Sequence, residues 1–124
     1  MHWAPNLNNA RNAKYVRDFR AKYKRTPDMF SVQAYDGARL IADGLRRVKG
    51  NVSNTLNIVK AMRKGGLNSV RGPLKYNVNG FLIEPWYKRI VVMEAGKPEI
   101  KVAGVVMAHK DSYYRKCPRK EWHN

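Results

Sequence analysis

The 124-residue chain lacks much of what simple chemistry would need. It has one cysteine, Cys117, so no internal disulfide can form. A leftover thiol points to an absent partner in an exported protein and to a free thiol in the cytoplasm. The three histidines, His2, His109 and His123, stand far apart without metal-ligand spacing, so neither a metal nor a cofactor is expected. No apolar run approaches the ~20 residues that span a bilayer. Met1-His-Trp-Ala-Pro5 has no apolar core of a secretory signal, so export by a signal of its own is not expected. Gly65-Gly66 lacks the Lys-Ser/Thr of a phosphate loop, and no GxGxxG occurs. No Ser or Cys stands in a nucleophile elbow. Acids are also scarce: the nine Asp and Glu are scattered and suggest no carboxylate pair for acid–base work. These absences argue against an enzyme.

What is abundant is positive charge. Twenty-five Lys and Arg against nine acids leave a net charge of +16. Such a charge attracts polyanions. The basic residues are spread along the chain rather than packed in a block, which suits solvated helix faces better than a dedicated nucleic-acid surface. A hydrophobic fraction of 44% places the chain among globular proteins, with length for one small domain.

The first half reads as three helices. Asn8 or Asn9 caps the first, in which Asn12, Val16, Phe19 and Tyr23 recur at helical spacing. Thr26-Pro27-Asp28 ends it and begins the second. That helix runs to about Val48 and places Ala34, Ala38, Ile41, Leu45 and Val48 on one face, expected to be buried. Gly37 and Gly44 cost about 2 kcal/mol together relative to Ala, which suggests close packing against another backbone. Ser53 or Asn54 caps a third helix with Leu56, Val59 and Met62, and Gly65-Gly66 ends it.

The second half is extended. Asn77-Val-Asn-Gly80 is a turn signal. Trp86–Met93 and Ile100–Met107 are rich in aromatic and β-branched residues, and Glu94-Ala-Gly-Lys-Pro98 between them makes an antiparallel hairpin. Arg71-Gly72-Pro73 joins the halves as an ordinary turn or as a crossover strand between two lobes. The organisation is thus 1–70 helical, 71–108 crossover and hairpin, and 109–124 a basic tail. Two or three strands make a meagre sheet, so the apolar helix faces call for strands this chain does not contain.

Few residues suggest a site. Tyr35 and Asp36, read at the start of the second helix, either wall a pocket beside free N–H groups or serve the core and the helix dipole. Trp3 either lines a pocket or anchors the chain end.

Three ordered blocks resemble the C-terminal part of type I periplasmic solute-binding proteins, in the branched-chain amino acid (leucine-binding) group of ABC transporter receptors. They are His2-Trp-Ala-Pro-Asn-Leu-Asn8 with Tyr15–Tyr23, Thr26-Pro27 leading into Ser31–Ile41, and Ser69–Gly80 with the strand pair and Asp111–Cys117. The resemblance covers about Trp3 to Cys117. It departs at Lys24, where a helix-stopping glycine is usual, at Ala10, where proline is common, and in its basic excess.

The resemblance implies an incomplete α/β periplasmic-binding-protein type I fold: three helices from one lobe, then a crossover strand and a hairpin from the other. It implies a receptor part for amino acids or related small carboxylates, not competent to bind alone, with a membrane permease as partner and a periplasmic setting. A chain made alone without a signal would stay in the cytoplasm. Tyr35 carries over as a cleft residue, with Gln33 and Trp3 beside it. The missing N-terminal segments of the same fold are the implied structural partner. The alternative is a small basic nucleic-acid-associated protein using Trp86, Tyr87, Tyr113 and Tyr114 for stacking; no specific nucleic acid is expected under the first reading.

Overall fold

The computed structural model describes residues 1–109. The tail read over 109–124, with Cys117, Tyr113, Tyr114 and its basic residues, lies outside the described residues from Lys110 onward, as does the Asp111–Cys117 block.

Three helices come first, as the periodicity predicts. Helix α1 spans Ala10–Tyr23, and Asn9 caps it by accepting from Asn12 N at 2.7 Å. It stops at Lys24, which takes the left-handed φ of 55° with its N–H on Arg20 O. Lysine thus fills a conformation that glycine adopts without steric cost. Helix α2 spans Met29–Arg47 behind a capping box in which Asp28 and Ser31 satisfy each other's backbone N–H groups. Helix α3 spans Thr55–Arg63, capped by Asn54.

The second half is antiparallel. Strands β1 (Asn68–Ser69) and β2 (Gly72–Pro73) pair around a turn at Val70 and Arg71, with Gly72 at a φ of 107°. Strand β3 (Lys75–Tyr76) pairs with β4 (Leu82–Glu94) across the turn at Asn77–Gly80. Strand β4 pairs with β5 (Lys97–His109), giving the sheet order β3-β4-β5. The hairpin closes at Ala95 and Gly96, both at positive φ, which matches the twist of two-residue hairpin turns. It is longer at both ends than the aromatic and β-branched runs imply.

The core is small and lies where the N-terminal segment, α1, α2 and the β1–β2 turn meet. Trp3, Tyr15, Val16, Val32 and Val70 form it, with Leu7 and Phe19 against its edge. Asn12 is fully buried here. Its Oδ1 accepts from the Trp3 indole at 2.7 Å, and its Nδ2 donates to the carbonyls of Pro5 and Leu7. The side chain thereby supplies partners for a loop that no strand accompanies.

The expected burial of Ala34, Ala38, Ile41, Leu45 and Val48 is not met: the first three are exposed, and Leu45 and Val48 are only half-buried. The residues α2 buries are Val32, Asp36 and Gly44. At 3.6 residues per turn this set is centred roughly 150° around the helix from the apolar stripe. Ala34 and Ala38 are exposed, and Ile41 is 52% exposed. On α3, Leu56 and Val59 are exposed too, while Ala61 is buried. Both faces of α2 thus carry packing chemistry, and the described residues cover only one of them. Gly44 does mark a close approach, since a Cβ there would overlap Met62 of α3. Gly37 does not: nothing lies within 4 Å of the position its Cβ would take.

Candidate functional site

The structure places the three sequence-derived candidates in three different settings. Trp3 is 2% exposed and belongs to the core. Its ring also edges a cavity of about 250 Å³ that reaches the hairpin. Gln33 is exposed, with its amide 3.4 Å from His2 Nε2. Tyr35 is 38% exposed and packs its ring 4.6 Å from that of Tyr15, with the Arg39 guanidinium 5.7 Å from its centroid. Two residues of helix separate Gln33 and Tyr35 by roughly 200° about the axis. Each therefore faces its own wall: Gln33 toward the N-terminal segment, Tyr35 toward α1.

The wall at Tyr35 is aromatic. Tyr35, Tyr15, Phe19 and Tyr23 form a continuous row of rings, with neighbouring centroids 4.5–5.8 Å apart. They line a groove of about 390 Å³ between α1 and α2. The Tyr15 hydroxyl is buried without a hydrogen-bond partner among the described residues, and burial pushes its pKa up.

The wall at Gln33 is polar and connected. Arg71, at the β1–β2 turn, is its centre. Its Nε donates to Asp36 Oδ2 at 3.1 Å and its Nη1 to Glu84 Oε2 at 2.7 Å. Asp36 Oδ1 also accepts from Val70 N at 3.3 Å. Glu84 Oε1 approaches His2 Nδ1 at 3.6 Å, and the His2 ring meets Trp86 edge-on at 5.8 Å. Four segments thus converge: the N-terminal segment, α2, the β1–β2 turn and β4. Met1 and Tyr87 reinforce the join through Tyr87 N to Met1 O at 2.7 Å.

The charges follow from burial. Burial, with Arg71, the N-terminal ammonium and Arg89 nearby, holds the His2 imidazole below its ordinary value. His2 is therefore neutral at pH 7, and its approach to Glu84 is a close contact rather than an ion pair. Burial pushes the Glu84 carboxyl up, against the opposing pull of Arg71. The cluster can orient polar groups and join segments. Among the described residues no group of His, Cys, Asp and Glu could hold a metal.

Asp36 also corrects an expectation. It is the eighth residue of α2, beyond the free N–H groups of the first turn, which the capping box serves. Its role is to hold Arg71. The signal for this was present in the sequence: an acid spaced by four from Val32, on the side of the helix away from the apolar stripe. Arg71, Glu84 and His2 had no such signal, because their meeting depends on segments that join only in space.

The model of the family described as Periplasmic binding protein matches residues 1–94. Among solved structures, the solute-binding protein of an ABC transporter from R. palustris, in complex with benzoate, is 30% identical with a TM-score of 0.80. That match covers 90% of this chain and 30% of the other. A solute-binding protein from Rhodopseudomonas palustris HaA2, in complex with p-hydroxybenzoic acid, is 25% identical with a TM-score of 0.75, covering 94% and 32%. A leucine-binding protein from Thermotoga maritima shares the fold at 20% identity and a TM-score of 0.67, covering 85% and 29%. The chain thus spans about a third of the length of the structures it matches. No curated protein matches it.

Proposed function

This chain belongs to the periplasmic binding protein family, and on that premise we propose that it is part of an ABC-transporter receptor for a small carboxylate solute. The chain performs no catalysis in this role. Residues 1–70 belong to one lobe and 71–108 to the other, with 109–124 a basic tail. The Arg71 cluster then lies at the join between lobes, with Gln33 and Trp3 on the side of the cleft that takes the solute and Tyr35 on the opposite wall of α2, toward α1. The complete receptor works on the periplasmic side and delivers its solute to a membrane permease.

One observation carries this reading: the 30% identity to a benzoate-bound receptor, sustained over 90% of this chain. The 25% identical structure carries a related aromatic acid. Aromatic carboxylates are therefore the first class, ahead of amino acids, since the leucine-binding protein is similar in fold alone. The exposed apolar stripes on α2 and α3 support the further view that tight binding needs the rest of the fold.

The test is an exchange. The chain replaces the matching third of the R. palustris benzoate receptor, and calorimetry measures benzoate and leucine binding. The hybrid is expected to bind benzoate, and to bind it more weakly after Gln33→Ala. A folded hybrid that takes up no carboxylate overturns the reading.

A further inference from the structure

The cavity of about 250 Å³ beside Trp3 lies between the turn into α2 and the hairpin. Pro27, Pro98 and Ile100, with the edge of Trp3, give it apolar walls. Its charged lining residues are Asp28, Glu99 and Arg89. Both carboxylates are engaged elsewhere. Asp28 accepts from Ser31 N at 2.8 Å and faces Arg25 at 3.3 Å. Glu99 faces Arg20 at 3.6 Å. Arg89, half-buried on β4, has no carboxylate partner among the described residues.

A partly desolvated guanidinium without a counter-ion is costly, and its planar fork fits a carboxylate. The tryptophan and proline walls suit a flat ring. We propose that this cavity is a subsite for a small aromatic monocarboxylate, with Arg89 binding the carboxylate and Trp3 and the prolines holding the ring. The proposal rests on the receptor reading for its solute class. The walls come from this chain alone, so weak binding survives without the rest of the fold.

The full chain is titrated with benzoate, and with benzyl alcohol as the uncharged counterpart, while NMR follows the Trp3 indole N–H. Benzoate is expected to shift that signal saturably in the millimolar range. Arg89→Gln weakens binding by roughly tenfold or more, and Arg89→Lys weakens it less because charge remains while the fork is lost. Replacing the exposed neighbour, Lys88→Ala, leaves affinity within about twofold. No saturable shift, equal binding of benzyl alcohol, or unchanged affinity in Arg89→Gln each overturns the proposal. Should Arg89→Gln fail to fold, unchanged affinity in Arg89→Lys with equal binding of benzyl alcohol does the same. If these fail while the hybrid still binds benzoate, the subsite falls and the receptor reading stands. If the Trp3 signal responds but the hybrid binds nothing, the reverse holds.

Discussion

Arg71 donates to Glu84 at 2.7 Å and so ties the β1–β2 turn to the start of β4. Its other arm holds Asp36 of α2, and both ends of that second pair are nearly buried. Removing the guanidinium leaves the Asp36 carboxylate without its counter-charge. Arg71→Met is expected to destabilise the chain by roughly 3–5 kcal/mol in urea unfolding. The double change Arg71→Met with Asp36→Leu recovers much of that loss. A single variant as stable as the parent would mean that the cluster contributes nothing to the join.

The two glycines of α2 give opposite outcomes. Gly37→Ala meets open space and removes a poor helix former, so it stabilises by about 1 kcal/mol. Gly44→Ala gains the same propensity but drives its Cβ into Met62, so it is neutral or destabilising. In a Met62→Ala background Gly44→Ala becomes stabilising. Thermal midpoints of the parent and the four variants (Gly37→Ala, Gly44→Ala, Met62→Ala and the Gly44→Ala/Met62→Ala double) check this, and identical shifts at both glycines contradict it.

Stability depends on pH through His2 and Glu84, with opposite signs. The folded His2 imidazole takes up a proton less readily than the unfolded one, whose value is 6.5. Stability is therefore lost as pH falls below about 6.5. The folded Glu84 carboxyl takes up a proton more readily than the unfolded one, at 4.5, so it offsets part of that loss as pH falls toward about 4.5. Between about pH 7 and about pH 5, His2→Gln should lose less stability than the parent and Glu84→Gln should lose more. Parallel urea midpoints in all three proteins refute the assignment.

Ile41 and Leu56 sit on the uncovered stripes. Ile41→Glu and Leu56→Glu should each change stability by less than about 0.5 kcal/mol. Both should reduce binding of a hydrophobic dye, which the parent chain is expected to show. A cost of several kcal/mol would mean that the stripe is covered within this chain.

Local signals carried the secondary structure. Asn9, Asp28 and Asn54 cap the helices the periodicity predicts, because a cap and an apolar repeat act over a few residues. The two long strands and their turn were legible for the same reason. Which face of α2 is buried was not. The apolar stripe is the better hydrophobic face by pattern, yet what packs against this helix here is the side holding Val32, Asp36 and Gly44. A helix with chemistry on two faces cannot announce which neighbour its own chain supplies.

The candidate site divides in the same way. Trp3 and Tyr35 stood out as aromatics in short motifs, and the structure gives one to the core and the other to a ring row on α1. Arg71 looked like part of a connection, and it proves to be the residue on which four segments converge.

The sequence alone determined the helices, the hairpin, the surplus of positive charge and the family, since each rests on neighbouring residues or on ordered motifs. Only the tertiary structure decided that Asp36, Arg71, Glu84 and His2 share one cluster and that Arg89 borders a cavity and has no carboxylate partner among the described residues. The physical reason is desolvation: charges far apart along the chain must be matched once they leave water together, and folding sets which of them leave.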